Sequence, residues 1–250
     1  MIDLAIAALA QEGLIWLALV YVLAGVVRGF SGFGTALIVV PVAGIFLDPL
    51  SIIVLITVTG LVSNFVLVPG AWGAADRGEV AVLALAAVIG VPIGLWLLGQ
   101  TDVQALRWIV AAIGAVTVAA LATGWQLRAR LGQGGLAAVG AAAGVVGGLT
   151  ALTGPIAILF YLANARRAVA VRANMILFLG ALDVLLLTNV TLSGDLTAQR
   201  ITLGLLLCVP YVLGITVGMA LFAPHRERLY RAAALCIVAL AMLSGLPIWE

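Results

Sequence analysis

The stretch "AGVVRGFSGFG" (Ala24–Gly34) sets one arginine and four glycines inside an otherwise apolar run. A related stretch, "AGVVGGLTALT" (Ala143–Thr153), occurs in the second half of the chain, with glycine in place of Arg28. The same register sets Asn64 against Asp183, so the chain holds a repeat of about 120 residues, too long for a solenoid period. The halves are therefore expected to fold alike, each with an interruption near its start.

The composition indicates what surrounds these halves. Hydrophobic residues make up 65% of the chain and charged residues 9%, with a mean hydropathy of +1.29. A soluble domain of this size carries roughly 25% charged residues. Since so few polar side chains cannot cover a globule in water, the composition predicts an all-α polytopic membrane protein.

Ten apolar segments of roughly membrane length follow one another along the chain. The second and the seventh are short, and each is expected to form a broken helix or a re-entrant hairpin with its predecessor. The predicted organisation is a first transmembrane repeat over residues 1–124, a cytoplasmic linker over 125–134 and a second repeat over 135–250. The segments are 13–28, 35–47, 50–68, 80–98, 106–123, 135–149, 156–165, 173–190, 201–223 and 232–246.

Each half contains five segments, an odd number, so the second copy must enter the membrane from the opposite side. Inverted repeats with helices interrupted at matching positions are typical of transporters, whose substrate site lies near the bilayer midplane where the interruptions meet. A duplicated membrane protein that does not transport is the alternative.

Arginine predicts the orientation of the chain in the membrane. Arg107 and Arg200 fall on one side, and ten arginines are assigned to the loops of the other. Basic loops face the cytoplasm. We therefore expect a multi-pass protein of the cell (inner) membrane with both termini outside the cytoplasm. The ten are Arg28, Arg77, Arg128, Arg130, Arg166, Arg167, Arg172, Arg226, Arg228 and Arg231.

The two interruptions supply the candidate substrate site. Helices that restart after a break direct N–H groups and positive dipole ends into the gap, an arrangement that binds anions. The alternative is that the glycines allow close helix packing and the hydroxyls bond their own backbone. The candidate substrate-binding residues are Arg28, Gly29, Ser31, Gly32, Gly34, Thr35, Thr150, Thr153, Gly154 and Pro155.

Charged and amide side chains within the apolar segments are further candidates. The planar guanidinium of Arg28 suits a pair of anion oxygens, unless the side chain extends from its helix end to cytoplasmic water. Asp183 is the one acid well inside an apolar run, and such an acid is a candidate proton carrier or a structural partner of another helix. Asn64, Arg172 and Asn174 are candidate coupling or pore-lining residues, with a positive-inside anchor as the alternative for Arg172.

Other classes of function lack the residues they need. The one histidine, His225, lies in a charged loop, and the sequence has no cluster of metal ligands and no glycine loop for ATP phosphates. We expect no catalytic residues, metal or cofactor. The expected partners are a small anion and the lipid bilayer, with a homodimer left open and no nucleic acid.

In the order and duplication of its motifs, the chain resembles the sulfite exporter TauE/SafE family of membrane transporters. The resemblance rests on "AGVVRGFSGFGTALIVVPVAGIFLDP", "AGVVGGLTALTGPIAILFYL" and "RRAVAVRANM". It implies transport, with export as the expected direction, of a sulfur-containing anion such as sulfite or an organosulfonate, or of a related small carboxylate. Arg28 is not a general family feature, which suggests a subgroup with its own substrate. Import, a passive anion channel and a membrane scaffold are the alternatives.

Overall fold

The computed structural model describes residues 2–123, 132–163, 168–221 and 227–245. Every regular element within these ranges is a helix. The helices are α1 (Ile2–Leu9), α2 (Leu14–Ser31), α3 (Thr35–Ala43), α4 (Pro49–Ala71), α5 (Arg77–Leu98), α6 (Val103–Thr123), α7 (Gln133–Thr150), α8 (Gly154–Ala163), α9 (Ala168–Leu192), α10 (Ala198–Leu221) and α11 (Glu227–Ser244).

Helices α2 to α11 correspond one to one with the ten predicted segments. Seven of the helices in the described ranges are long and apolar enough to cross a membrane: α2, α4, α5, α6, α7, α9 and α10. The short helix α1, which the segment pattern did not predict, packs against α10. Most of the predicted linker over 125–134 lies outside the described residues.

The second and seventh segments are short helices, as predicted. Helix α3 has 9 residues and α8 has 10, which correspond to only about 13–15 Å of helix against a hydrocarbon core of about 30 Å. Each packs against the long helix that precedes it. This packing fits a hairpin better than a continuous span.

Aspartate side chains begin three of the helices. The carboxylates of Asp48, Asp76 and Asp102 accept hydrogen bonds from the backbone N–H groups of Ser51, Glu79 and Ala105, at 2.8–3.1 Å. Each bond satisfies a backbone donor that has no partner inside its helix. The acids thus fix the starts of α4, α5 and α6.

Glycines set the closest approaches between helices. Helix α2 packs along α10, and α5 packs along α7. A Cβ added at Gly25 or Gly214 would overlap a backbone carbonyl oxygen of the opposing helix, as it would at Gly90 or Gly140 in the other pair. Small residues allow backbones to pack this closely in membranes, where burial supplies little of the driving force.

The arginine assignments need one correction. Of the ten arginines counted among the loop residues, Arg28 and Arg172 lie within α2 and α9, Arg77 is the first residue of α5, and Arg228 and Arg231 lie in the first two turns of α11. Arg28 is only 4% exposed, so it does not extend to water from its helix end. Of the others, Arg128, Arg130, Arg166, Arg167 and Arg226 lie outside the described residues, as does His225.

Candidate functional site

The first interruption is a turn between α2 and α3 that needs glycine. Gly32 ends α2 with φ 82°, and its N–H donates to the carbonyl of Arg28. Gly34 precedes α3 with φ 99°. Both angles lie in the left-handed region, which glycine adopts without steric penalty. The turn places Arg28 in the last turn of α2 and Thr35 at the start of α3.

The second interruption has the same form without its glycine. Ala151 ends α7 with φ 62°, and its N–H donates to the carbonyl of Gly147. This angle is uncommon for a residue with a Cβ. Helix α8 then begins at Gly154. Each half of the chain therefore contains a long helix that ends, and a short helix that begins, at its interruption.

A small cavity lies between the two interruptions. It leaves about 10 Å³ for the centre of a water molecule, roughly room for one water. The starts of α3 and α8 both contribute to its wall, together with α2, α4, α9 and α10. The lining residues are Arg28, Gly34, Thr35, Ala36, Leu37, Ile56, Gly60, Thr153, Gly154, Pro155, Leu179, Asp183 and Tyr211.

Arg28 brings a buried positive charge to this cavity. Its side chain is 4% exposed. Within the described part of the chain, its Nε and Nη2 are buried and have no hydrogen-bond partner. Leaving the buried donors of a charged group without hydrogen bonds is costly. Arg28 is therefore poised to bind an acceptor that enters the cavity.

Asp183 faces the same cavity from α9 and is also 4% exposed. The Arg28 charge and the Asn64 side chain both act on its carboxyl group. Its Oδ2 is buried and has no hydrogen-bond partner among the described residues. This oxygen lies against Gly60 of α4, where a Cβ would come within 2.6 Å of the carboxyl carbon. The site thus contains both a carboxyl group and a guanidinium group.

Tyr211 of α10 is a cavity residue that the sequence analysis missed. Its hydroxyl lies 2.6 Å from the Thr35 hydroxyl. Tyr211 is fully buried, and buried tyrosine hydroxyls usually find a hydrogen-bond partner. The sequence feature that could have identified Tyr211 is its position one turn before Gly214, because that glycine brings α10 against α2.

Two of the predicted hydroxyls are engaged with their own helices. The Ser31 hydroxyl lies 2.7 Å from the carbonyl oxygen of Val27, and the Thr150 hydroxyl lies 2.7 Å from that of Val146. Neither residue lines the cavity. This is the arrangement that the packing alternative expects for hydroxyls near helix ends.

Arg172 also lies away from the cavity. Its Nη2 donates to the carbonyl of Gly29 at 2.6 Å, and its Nε donates to that of Phe30 at 3.0 Å. A positive charge at a helix C-terminus stabilises the helix. Arg172 therefore holds the end of α2, beside the turn at Gly32.

Asn174 joins α9 to the start of α5. It is fully buried. Its Oδ1 accepts from the N–H of Asp76 at 2.7 Å, and its Nδ2 donates to Glu79 at 3.1 Å. Of the predicted site residues, those that line the cavity are Arg28, Gly34, Thr35, Thr153, Gly154, Pro155 and Asp183. Asn64 does not line it but acts on the Asp183 carboxyl group.

A family model, described as sulfite exporter TauE/SafE, matches residues 17–245 and so includes both interruptions. The chain belongs to the sulfite exporter TauE/SafE family. With its long apolar helices, this membership indicates a multi-pass membrane protein and favours transport over enzymatic function. No curated protein and no solved structure matches this TauE/SafE member.

Proposed function

We propose that this protein is a secondary transporter that exports a small sulfur-containing or related organic anion, such as sulfite or an organosulfonate, from a site at the Arg28 cavity. The observation that carries the proposal is the buried guanidinium, with two donors unpartnered in the described structure, at the point where α3 and α8 begin. Three sources of positive potential converge there, the guanidinium and two helix N-termini.

The groups around the cavity suit an oxyanion. The planar guanidinium presents paired donors to two oxygens of one sulfonate or carboxylate. The start of α3 adds backbone N–H groups and the Thr35 hydroxyl. Since the cavity has room for only about one water, an anion can enter only if the surrounding helices separate. We interpret this conformation as one with the site closed.

The hydroxyl pair predicts a modest, chemically specific effect. Thr35→Val should weaken anion binding about 2- to 10-fold, the loss of one neutral hydrogen bond of about 0.5–1.5 kcal/mol. Thr35→Ser should retain most of the affinity, because it keeps the hydroxyl. Affinity measured by calorimetry tests this. Thr188→Val, which removes an exposed α9 hydroxyl that bonds its own helix, is the control. Equal losses in the Val and Ser variants would contradict a role for the hydroxyl.

Inverted repeats offer a mechanism for the required separation. If α2 to α6 are equivalent to α7 to α11, exchanging the repeats converts the α2–α10 pair into the α7–α5 pair, and these two pairs are both closely packed on glycine. The matched residues Asn64 and Asp183 also lie against glycines of each other's helices, Gly180 and Gly60. These contacts support alternating access, in which the repeats move around a fixed midplane site.

Two polar clusters lie where paired helices begin, and we propose that they are gates. At the starts of α4 and α10, Arg200 contacts Asp48 at 3.3 Å and Ser51 at 2.9 Å. At the starts of α9 and α5, Asn174 binds Asp76 and Glu79. The repeat exchanges these helix pairs. If the arginine-rich loops face the cytoplasm, as the positive-inside rule predicts, the first cluster and both termini lie outside and the second cluster lies on the cytoplasmic side.

The outer cluster gives a pH prediction. Burial opposes ionisation of Asp48, but hydrogen bonds from Ser51 and the Arg200 charge outweigh it and hold the pKa below its usual 3.8. The contribution to stability is then present above pH 3.8 and is lost as pH falls through the folded-state pKa. Asp48→Asn removes the charge but keeps a side chain that can cap the helix. Because the ion pair is exposed, we expect the variant to be less stable by only about 0.2–1 kcal/mol at neutral pH.

Thermal unfolding of the wild type and Asp48→Asn across acidic and neutral pH measures this difference. Their melting temperatures should converge in acid. A constant gap at every pH would show that the Asp48 charge contributes nothing.

Reconstitution tests the proposed function. Purified protein in liposomes should move labelled sulfite or a small sulfonate, and Arg28→Ala should abolish most of that flux. The matched control is Arg77→Ala, which removes an exposed arginine that stacks on Trp72. A saturable flux that a coupled ion gradient can drive supports a transporter, and a linear, uncoupled flux favours a channel. The absence of flux for every anion would refute the proposal. In intact cells with inducible expression, the direction in which the labelled anion moves distinguishes export from import.

A further inference from the structure

We propose that the anion and one proton bind this protein together, the anion at Arg28 and the proton on Asp183. The inference rests on the proposed function and names its coupling ion. In the empty site the Asp183 carboxylate balances the Arg28 charge. When an anion takes over Arg28, a proton from the open side of the membrane forms an O–H bond with Asp183, and it leaves again when the anion leaves.

The geometry supports such an exchange. Arg28 and Asp183 lie on different helices, are both 4% exposed and line one cavity. Their charges interact. In the part of the chain described, however, Nε and Nη2 of Arg28 and Oδ2 of Asp183 form no hydrogen bond. A permanent structural ion pair would be expected to use these atoms, because only good hydrogen bonding offsets the desolvation of two buried charges.

Charge balance decides which states are populated. With Asp183 ionised and Arg28 positive, the empty site is neutral. A monovalent anion added to that site would leave an uncompensated negative charge in a buried, low-dielectric cavity. With Asp183 protonated, Arg28 and the anion form the neutral pair instead. Both the empty and the loaded site are then neutral, so the protein can change between its inward-open and outward-open states without carrying a net charge at the site.

The groups facing Asp183 leave it as the residue that titrates. Helix α2 contributes Arg28 and α10 contributes the Tyr211 hydroxyl, while α4 contributes the amide of Asn64 and the backbone of Gly60. Arginine stays charged and an amide does not titrate. The nearest described carboxyl from α5 is that of Glu79.

Glu79 does not share the cavity. It bonds Asn174, nine residues before Asp183 on α9, a rise of about 13.5 Å along the helix. The starts of α3 and α8 add only Gly34, Thr35, Thr153, Gly154 and Pro155 to the lining, none of which titrates near neutral pH. A side chain at Gly60 would overlap the Asp183 carboxyl group, so glycine at this position makes room for that group beside α4.

Calorimetry in buffers of different ionisation enthalpy counts the protons taken up on binding. The probe is isethionate, a sulfonate whose own charge is constant near neutral pH. At pH values where Asp183 is ionised in the empty protein, we expect close to one proton to be taken up per anion. In that range the affinity should weaken by up to about tenfold for each unit by which the pH rises. Asp183→Asn should take up none and should bind equally well at each pH. Asp102→Asn, which keeps the exposed cap of α6, should behave as the wild type.

Electrical measurements in liposomes give a second readout that does not need the Asp183 variant to fold. Wild-type isethionate flux should be unaffected by an imposed membrane potential, because anion and proton cross together. Asp183→Asn should carry the anion alone, so its flux should respond to the potential. Binding without proton uptake, or potential-driven wild-type flux, would overturn the proton inference and leave the anion site standing. If neither sulfite nor any sulfonate binds the wild type, the proposed function itself fails.

Discussion

Arg28→Ala is expected to weaken anion binding by about 1.5–3 kcal/mol, roughly 10- to 150-fold, because a charge-assisted hydrogen bond is lost in a buried site. Arg28→Lys should fall between this variant and the wild type. Lysine keeps the charge but lacks the planar pair of donors that fits two oxygens of one anion. Calorimetry on purified variants measures the affinities.

The same substitution should also lower stability, because it leaves Asp183 buried without its counter-charge. Removing one partner of a hydrogen-bonded buried ion pair costs about 3–5 kcal/mol. We expect a smaller loss here, because Nε and Nη2 of Arg28 and Oδ2 of Asp183 form no hydrogen bond in the described structure and Asp183 can take up a proton. Arg28→Ala combined with Asp183→Asn should recover much of this loss without recovering anion affinity. Thermal unfolding of the single and double variants separates the two effects.

Arg77→Ala serves as the control for charge alone, since Arg77 is exposed and lies over Trp72. It should change neither the affinity nor the stability by more than a few tenths of a kcal/mol. Unchanged affinity in a well-folded Arg28→Ala protein would show that the arginine does not contact the anion.

The second large effect concerns the glycine contacts between helices. Gly214→Ala and Gly140→Ala should each destabilise the protein by about 1–3 kcal/mol, because the new methyl group forces two packed backbones apart. A Cβ at Gly214 would overlap the carbonyl oxygen of Val22, and one at Gly140 would overlap that of Leu83. Leucine at either position should prevent correct assembly.

Gly70→Ala is the matched control within a long apolar helix. A Cβ at Gly70 would meet nothing within 4 Å among the described residues. This variant should be neutral or more stable by up to about 1 kcal/mol, because alanine favours a helix. Unfolding in detergent measures all three variants. Equal stability of Gly214→Ala and Gly70→Ala would show that the α2–α10 contact tolerates separation.

Much of the helix order could be predicted from the sequence, because apolar length and glycine breaks are local signals. The ten segments match α2 to α11, and the break at Gly32 and Gly34 lies where the pattern predicts it. Helix α1 was missed, since its 8 residues are too few to stand out as a membrane segment. The inverted arrangement stays a proposal supported by the helix pairs.

The composition of the site was harder to predict, because repeat alignment pairs equivalent residues rather than neighbours. The alignment sets Asp183 against Asn64 and Arg28 against Gly147. It does not reveal that Arg28 and Asp183 share a cavity. The segment that contains Arg28 has no acid of its own, whereas α9 brings Asp183 to the same cavity. Long-range packing therefore turned two separate candidates into one site.

The most direct test of the central claim is a structure of the protein with 2-bromoethanesulfonate, whose bromine can be located by anomalous scattering. We expect the sulfonate oxygens within hydrogen-bonding distance of Arg28 Nε and Nη2, between the starts of α3 and α8, with the cavity widened around them. A ligand bound only elsewhere, for example at the Arg200 cluster, with the Arg28 cavity still closed, would contradict the proposed anion site.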